Sequence, residues 1–311
     1  VIIGIDPTVD FAFKRLLGSP DHTKITVHFL NAVLGGAPRI TQVTIIDPCL
    51  EKDFEDDKRS ILDVLAIDEF GRQFDVEMQS TLPMGMSQRL AYYTSSMYVE
   101  QLVAGEDYPE LRPAISICVL DAVMFPNVPD MHLDFRLRER RHGLSLTDDL
   151  QIHTIELPKY RPPGENEAIT NAIEQWAYFL RFASTSTAAD LSSRLGDDAF
   201  AEAVGVLEMI SRTPDERALY KARLKLERDE RGRMLGAEQE GIAKGELIGE
   251  QRGKQIGKQI GEQVGEQVGT IHAFQQFLGL SETARDELAA MDLAELKALA
   301  TDLQTRFLSR E

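Results

Sequence analysis

Asp63, Glu77 and Gln79 fall within one stretch, SILDVLAIDEFGRQFDVEMQS, at residues 60–80. Two short runs rich in Ile, Leu, Val and Phe flank the turn signal Asp68-Glu69-Phe70-Gly71, the pattern of two antiparallel strands closed by a Gly-containing loop. A loop centred near Phe70 sets Asp63 opposite Glu77, Leu62 opposite Met78, Val64 opposite Val76 and Ala66 opposite Phe74. Alternation then places the apolar set on one face and Asp63, Glu77 and Gln79 on the other. Directly opposed residues have Cβ atoms roughly 4.5–5.5 Å apart, where like charges repel. A hard cation such as Mg²⁺, which combines one or two carboxylates with phosphate oxygens and water, would give two acids a reason to face each other. A solvated polar face of a half-buried hairpin is the other reading, and the hairpin by itself leaves both open.

The elements around the hairpin must position it. Asp6-Pro7 reads as a helix start, because Asp can cap free N–H groups and Pro at the first helical position needs no donor. The helix expected over residues 7–17 turns Phe13, Leu16 and Leu17 to a core and sets Asp10 and Lys14 four apart on one side, the spacing of a surface ion pair. A second helix over 23–34 carries Ile25, Phe29, Leu30, Val33 and Leu34 and stops at Gly35-Gly36. Residues 40–46 read as a strand that leads through Asp47-Pro48 and a charged loop at 51–59 into the hairpin. A long helix over 83–103 follows, with Leu90, Tyr93, Met97 and Leu102 inward and Arg89 as its first cation. The run ISICVL at 115–120 is continuously apolar, so its strand should be buried on both faces with helices on each side of the sheet. A weaker alternating strand is expected at 151–157. This order makes the first ~160 residues an α/β domain with a mixed sheet.

Composition narrows the class. The chain has 311 residues, 43% hydrophobic and 27% charged, ordinary values for a soluble globular protein. No run approaches the ~18 apolar residues of a membrane span, and Val1-Ile2-Ile3 lacks the basic flank of a signal peptide, so a cytoplasmic protein without membrane contact is expected. Cys49 and Cys118 are isolated and read as buried small hydrophobes rather than zinc ligands or a disulfide. The six histidines show no HExxH or HxH spacing. A net charge of −17 argues against broad non-specific attraction to nucleic acid but leaves room for a locally basic cleft.

Beyond Gly164 the strand signals end. Helices are expected over 165–182, 200–211 and 214–234, the last largely charged. A low-complexity tract follows in which Gly241, Gly245, Gly249, Gly253, Gly257, Gly261, Gly265 and Gly269 recur every four residues. Each Gly costs a helix about 1 kcal/mol relative to Ala, so the tract is a poor helix alone. Two such helices could pair through their small residues, with Ile256, Ile260, Val264 and Val268 as apolar contacts; a frayed linker is the alternative, and the sequence leaves both open. Short helices over 270–279 and 281–307 close the chain.

Four motifs taken together, DPTxDFxFK at 6–14, ILDV at 61–64, DVEMQ at 75–79 and RxxYY at 89–93, resemble the Rpn family of recombination-promoting nucleases, also labelled transposases, within the PD-(D/E)xK nuclease superfamily. The resemblance covers roughly residues 5–160, with a family-like helical tail behind. It implies a mixed-sheet, restriction-endonuclease-like α/β core with a C-terminal helical extension. The expected divisions are 1–160 for the nuclease domain, 161–235 for a helical region, 236–270 for the Gly repeat and 271–311 for a terminal helical segment.

The resemblance assigns Asp63 as the metal-binding aspartate, Glu77 as the acid of (D/E)xK and Asp10 as a third acidic position. Arg89 and Tyr92 would face the site, and Gln79 stands where most of the superfamily has lysine. Glutamine can hydrogen-bond a water but cannot neutralise an anion or act as a base, so Lys14 or Arg89 would supply the missing positive charge. The implied cofactor is one or two Mg²⁺, with Mn²⁺ or Ca²⁺ as substitutes, held by Asp63, Glu77, the Met78 carbonyl and Asp10. The implied reaction is hydrolysis of a DNA phosphodiester, and the implied partners are DNA and a second copy joined through the C-terminal helical region. Two rivals differ in kind. A three-carboxylate transposase acting by strand transfer would draw its acids from separated elements, whereas Asp63 and Glu77 share one hairpin. A catalytically inactive DNA-binding or interaction protein would have no need to keep both acids.

Overall fold

A computed structural model describes residues 1–36, 38–46, 63–102, 105, 107–164 and 167–309. The Asp47-Pro48 turn, Cys49, the 51–59 loop and the Leu62–Met78 pairing lie outside these residues. Asp6 does not cap a helix. Its Oδ1 accepts from the Thr8 amide at 2.9 Å and the Thr8 hydroxyl at 2.6 Å, closing a local turn. Helix α1 (Asp10–Leu17) therefore starts later than expected, and it buries Phe13, Leu16 and Leu17. Helix α2 (Thr23–Leu34) ends where Gly35 takes φ +59° and donates to the Asn31 carbonyl, a left-handed stop that favours glycine.

Strand β1 (Val43–Ile46) pairs with β2 (Val64–Asp68), which forms the expected hairpin with β3 (Gln73–Gln79). Val64 faces Val76 and Ala66 faces Phe74, as the turn signal predicts. The loop is tied by Asp68, whose Oδ1 accepts from the amides of Phe70 and Arg72, while Gly71 adopts φ +79°. Helix α3 (Met86–Val99) is shorter than its sequence pattern and leads to β4 (Ala114–Leu120), buried along its whole length. Then come β5 (His132–Arg136), for which the sequence reading has no counterpart, and β6 (Leu150–Glu156). The sheet order is β1-β2-β3-β4-β6-β5, with β3, β4 and β6 parallel and the remaining pairs antiparallel.

Three further helices follow: α4 (Ala172–Phe182), whose start is capped by Asn171, α5 (Ala188–Leu195) and α6 (Asp198–Arg212). One face of the sheet, with Val64, Phe74, Val76, Ile115, Ile117 and Val119, joins the main core of Phe13, Phe29, Trp176, Phe179 and Phe200. The other face places Cys118 and Leu120 against Met86 and Leu90 of α3, so helices do cover both sides. Cys118 is the buried small residue expected of it, and burial pushes its thiol well up.

Helix α7 (Pro214–Leu278) is continuous through the Gly repeat, and α8 (Arg285–Ala289) and α9 (Leu293–Leu308) follow. The chain divides into two compact units, Val1–Arg231 and Gly232–Glu311. In the second, Ile271 and Leu278 of α7 are buried with Leu288, Leu296 and Leu303. No helix among the described residues is long and apolar enough to cross a membrane.

At the β5–β6 edge, His132 Nε2 lies 3.0 Å from His153 Nδ1, and His153 is buried. Burial holds the His153 imidazole down at about 4, with His132 and Arg136 adding to it and Asp134 opposing. An unfolded histidine takes its proton near pH 6.5. Stability present above that pH is therefore lost as the pH falls from about 6.5 through about 4. Replacing His153 by Gln should spare up to about 2 kcal/mol of that loss, read from urea unfolding at pH 7 and pH 4.5. Equal acid sensitivity in both proteins would contradict the assignment.

Candidate active site

Strand β3 alternates Phe74, Val76 and Met78 toward the main core with Asp75, Glu77 and Gln79 toward the opposite face. That second face is closed off, because β3 lies inside the sheet and α3, packed on the neighbouring β4 and β6, sends Arg89 toward it. Asp75 and Glu77 are each only 1% exposed. The solvated polar face that the hairpin alone left open is thereby excluded, and these are buried acids that need compensation.

Asp63 sits at the bend just before β2 rather than in the ladder. Its Oδ2 accepts from the Met78 amide at 3.0 Å, which fixes the carboxylate against the end of β3. Its Oδ1 is 3.1 Å from Lys14 Nζ, and the same ammonium is 2.7 Å from Asp10 Oδ1. The spacing of Asp10 and Lys14 thus gives more than a surface pair: one turn of α1 delivers a lysine between two acids on different elements. Glu77 has its own cation, with Arg89 Nη2 of α3 at 3.7 Å from Oε1, an ion-pair distance too long for a hydrogen bond. Gln79 Nε2 donates to Glu77 Oε2 at 3.4 Å. Arg89 lies over the Tyr93 ring, 5.5 Å from its centroid, whereas Tyr92 is exposed and meets Tyr93 edge-on. Of the two tyrosines in the RxxYY motif, Tyr93 is the one beside the arginine.

Burial is the leading influence on all three acids and pushes each upward. For Asp63 the Met78 amide and Lys14 oppose the rise, and for Glu77 Arg89 opposes it. Asp75 is driven well above the usual carboxylate range by burial and then by the Glu77 charge. Burial also acts against the Lys14 ammonium, but its hydrogen bonds and charge contacts with Asp10 and Asp63 outweigh this and raise it.

Helix α7 borders the same place. The Asp10 amide donates to Glu227 at 2.9 Å, Arg223 pairs with Asp10 Oδ2 at 3.2 Å, and Tyr220 accepts from the Asp6 amide at 2.9 Å. Arg231 reaches the Ser80 carbonyl at 3.2 Å and Asp121 at 3.3 Å, just past the ends of β3 and β4. These residues recur at three or four positions along α7, one face of a helix. The sequence reading treats that segment as largely charged and gives none of them a role. Asp75 it quotes only as part of a motif. The strand alternation that selects Glu77 selects Asp75 as well, so that signal was available; the α7 contacts are tertiary and leave none.

Among the described residues no three His, Cys, Asp or Glu side chains come together as a metal cage. The chemistry of the donors nevertheless suits a hard cation. Glu77 Oε1 and Asp75 Oδ1 are buried carboxyl oxygens with no hydrogen-bond partner among the described residues, and Asp63 adds a third carboxyl beside the end of β3. The surface hollows beside Arg212 and Lys221 and beside His28 and Arg39 are lined by none of these residues.

A family model described as PD-(D/E)XK nuclease family transposase matches residues 7–236. The chain belongs to that family. The match takes in the sheet, α1 to α6 and the first turns of α7, including Arg223, Glu227 and Arg231. No curated protein and no solved structure matches the chain. The PD-(D/E)XK membership implies a nuclease, and enzymes of the family typically use a divalent metal.

Asp75 tests the burial argument directly. Its Oδ2 accepts from Ser116 Oγ at 3.2 Å, a bond that an amide of the same shape can keep. In the presence of a chelator at neutral pH, Asp75→Asn should raise stability by about 1 kcal/mol by removing the cost of burying or protonating a carboxyl there, read from the urea midpoint. A lower midpoint would contradict this.

Proposed function

We propose that the protein is a metal-dependent DNA endonuclease that hydrolyses phosphodiester bonds, in a recombination, mobile-element or defence setting. The observation that carries the reading is the pairing of half-buried Asp63 and buried Glu77 with two cations from different helices, Lys14 and Arg89, at the end of one hairpin. Asp63, Glu77 and the Met78 carbonyl would hold Mg²⁺, and Asp10 stands one lysine away. When bound, the ion supplies Lewis-acid polarisation of the phosphate and a water acidified for attack.

The chain's own groups do the rest. Gln79 orients the water: its amide already points at Glu77, and its oxygen can accept a water hydrogen. Lys14 takes the part of the lysine missing from the position of Gln79, a cation beside Asp63 that balances charge as negative charge grows on the phosphate. Arg89, held over Tyr93, offers the second cation. Water oxygen forms the new bond to phosphorus, the ester bond breaks, and the departing oxygen leaves protonated. Tyr92, exposed on the outer side of α3, is suited to contact substrate rather than the acids.

The dimer is part of the same reading. Ile256 and Ile260 are exposed on α7, and among the described residues nothing outside the helix's own backbone lies within 4 Å of where a Cβ would stand at Gly241 to Gly269. Two copies would present two sites to the two strands. Equal sedimentation of the full chain and of a Gly257→Leu, Gly261→Leu variant would remove this element.

Incubation of plasmid DNA and of RNA with purified protein, with Mg²⁺ and with chelator, tests the main reading. DNA should be cut only with the metal; cleavage confined to RNA, or none, would overturn it. Asp63→Ala and Glu77→Ala should each abolish cutting while the proteins stay folded. Lys14→Met should slow it about 10²-fold or more, the usual loss for one electrostatic stabiliser. Gln79→Lys should stay folded and keep some activity. Unchanged cleavage in the Asp63 or Glu77 variant would remove the assignment of the site.

A further inference from the structure

After β5 the chain does not return directly to β6. It makes a second, narrower ribbon over residues 137–146. Leu146 donates its amide to the Leu137 carbonyl, Glu139 donates to the Leu144 carbonyl, and Arg138 bridges Ser145. The turn at its tip is closed by the Gly143 amide donating to Glu139 O, with Gly143 at φ +70°. All ten residues are exposed.

The charge on this ribbon runs against that of the chain. Its sequence, LRERRHGLSL, carries three arginines and one acid in a protein of net charge −17. The acid is used internally. Glu139 accepts from the amides of Arg141 at 2.8 Å and His142 at 2.6 Å and lies 3.0 Å from His142 Nδ1, and these bonds hold its carboxyl below the usual range. Arg138, Arg140 and Arg141 make no ion pair among the described residues. By contrast Arg136, at the base, is engaged by Asp134 and Asp148. The turn is thus made rigid by its one carboxylate while three guanidinium groups are left for something outside. Strand alternation puts Leu137, Leu144 and Leu146 on the face opposite Arg138, and all three leucines are exposed.

A two-stranded ribbon is narrow enough for a groove of duplex DNA. Unpaired arginines suit its phosphates, and exposed leucines suit the apolar edges and steps of its bases. We propose that the 137–146 ribbon is an arm that enters a groove of double-stranded DNA beside the cleavage point, with Arg138, Arg140 and Arg141 neutralising backbone phosphates. This rests on the DNA nuclease reading and adds the form of the substrate to it. The row Arg136, Gln151, Ile115, Phe74 crosses three strand spacings, and Glu77 lies three residues further along β3. The base of the arm is therefore about 17 Å from Glu77, at the opposite end of the strands, so the arm would meet the duplex between half a turn and one full turn, roughly 34 Å, from the cleavage point.

The test uses the full chain, a 30-base-pair duplex of arbitrary sequence and chelator, so that binding is read without cleavage. Changing Arg138, Arg140 and Arg141 together to Gln should weaken duplex binding at least tenfold. It should also flatten the slope of log K against log salt by about 2 to 3, since each phosphate contact contributes roughly 0.9. The same positions changed to Lys should restore the slope, because the charge returns. Equal affinity and slope in the Gln variant would overturn the arm even if cleavage stands. So would a change in sedimentation with DNA binding intact, which would mark the ribbon as a protein contact. If the parent binds with the expected slope yet never cuts, the arm survives and the nuclease reading fails.

Discussion

The structure turns on one electrostatic constraint: β3 is buried on both faces and still carries two carboxylates. An apolar strand could fill that place with no compensation. Here Asp75 and Glu77 are buried, with Asp63 fixed at the end of the same strand by the Met78 amide. Burying charges of one sign together is costly unless cations or protons accompany them. The fold answers by bringing Lys14 from α1 and Arg89 from α3, and among the described residues Glu77 Oε1 and Asp75 Oδ1 have no hydrogen-bond donor. A strand end that concentrates negative charge in this way is poorly suited to stability and well suited to holding a cation.

The first turns of α7 then acquire a purpose. Arg223 and Glu227 engage the two ends of Asp10, the side chain and the amide, while Arg231 closes over the ends of β3 and β4. Asp10 is thereby shared between Lys14 and Arg223, which fixes the side of α1 that presents the lysine. The family match extends to residue 236, so these contacts fall inside the matched region rather than in an appendage.

Much of this was legible in the sequence, for identifiable reasons. The hairpin register follows from the Asp68–Gly71 turn and strict alternation, and β4 from its unbroken apolar run. Helix α2 was legible because its apolar spacing and its glycine stop agree. The failures are also physical. Strand β5, HLDFR, alternates, with Leu133 and Phe135 on one face, but it is a short edge strand whose two apolar residues are too few to stand out, and α5 is short and starts from a capping box whose Thr187 and Asp190 resemble loop residues. Asp6 looked like a helix cap because Asp-Pro is a common start, yet its side chain closes a turn on Thr8 instead. The Gly repeat could be scored only by local propensity, which says little when burial of Ile271 and Leu278 anchors one end of the helix. Lys14 was identified by its type and Arg89 by its motif, but their partners are set by packing and appear only in three dimensions.

The central claim is that the carboxylates at the end of β3 are a cation site. Thermal unfolding of the full-length protein with excess Mg²⁺ and with chelator, beside Glu77→Gln under the same conditions, tests it without relying on catalysis. Mg²⁺ at a hundred times its dissociation constant should stabilise the parent by about 2.7 kcal/mol and leave the variant nearly unmoved. An identical midpoint in the parent with and without Mg²⁺, or an equal shift in both proteins, would contradict the account.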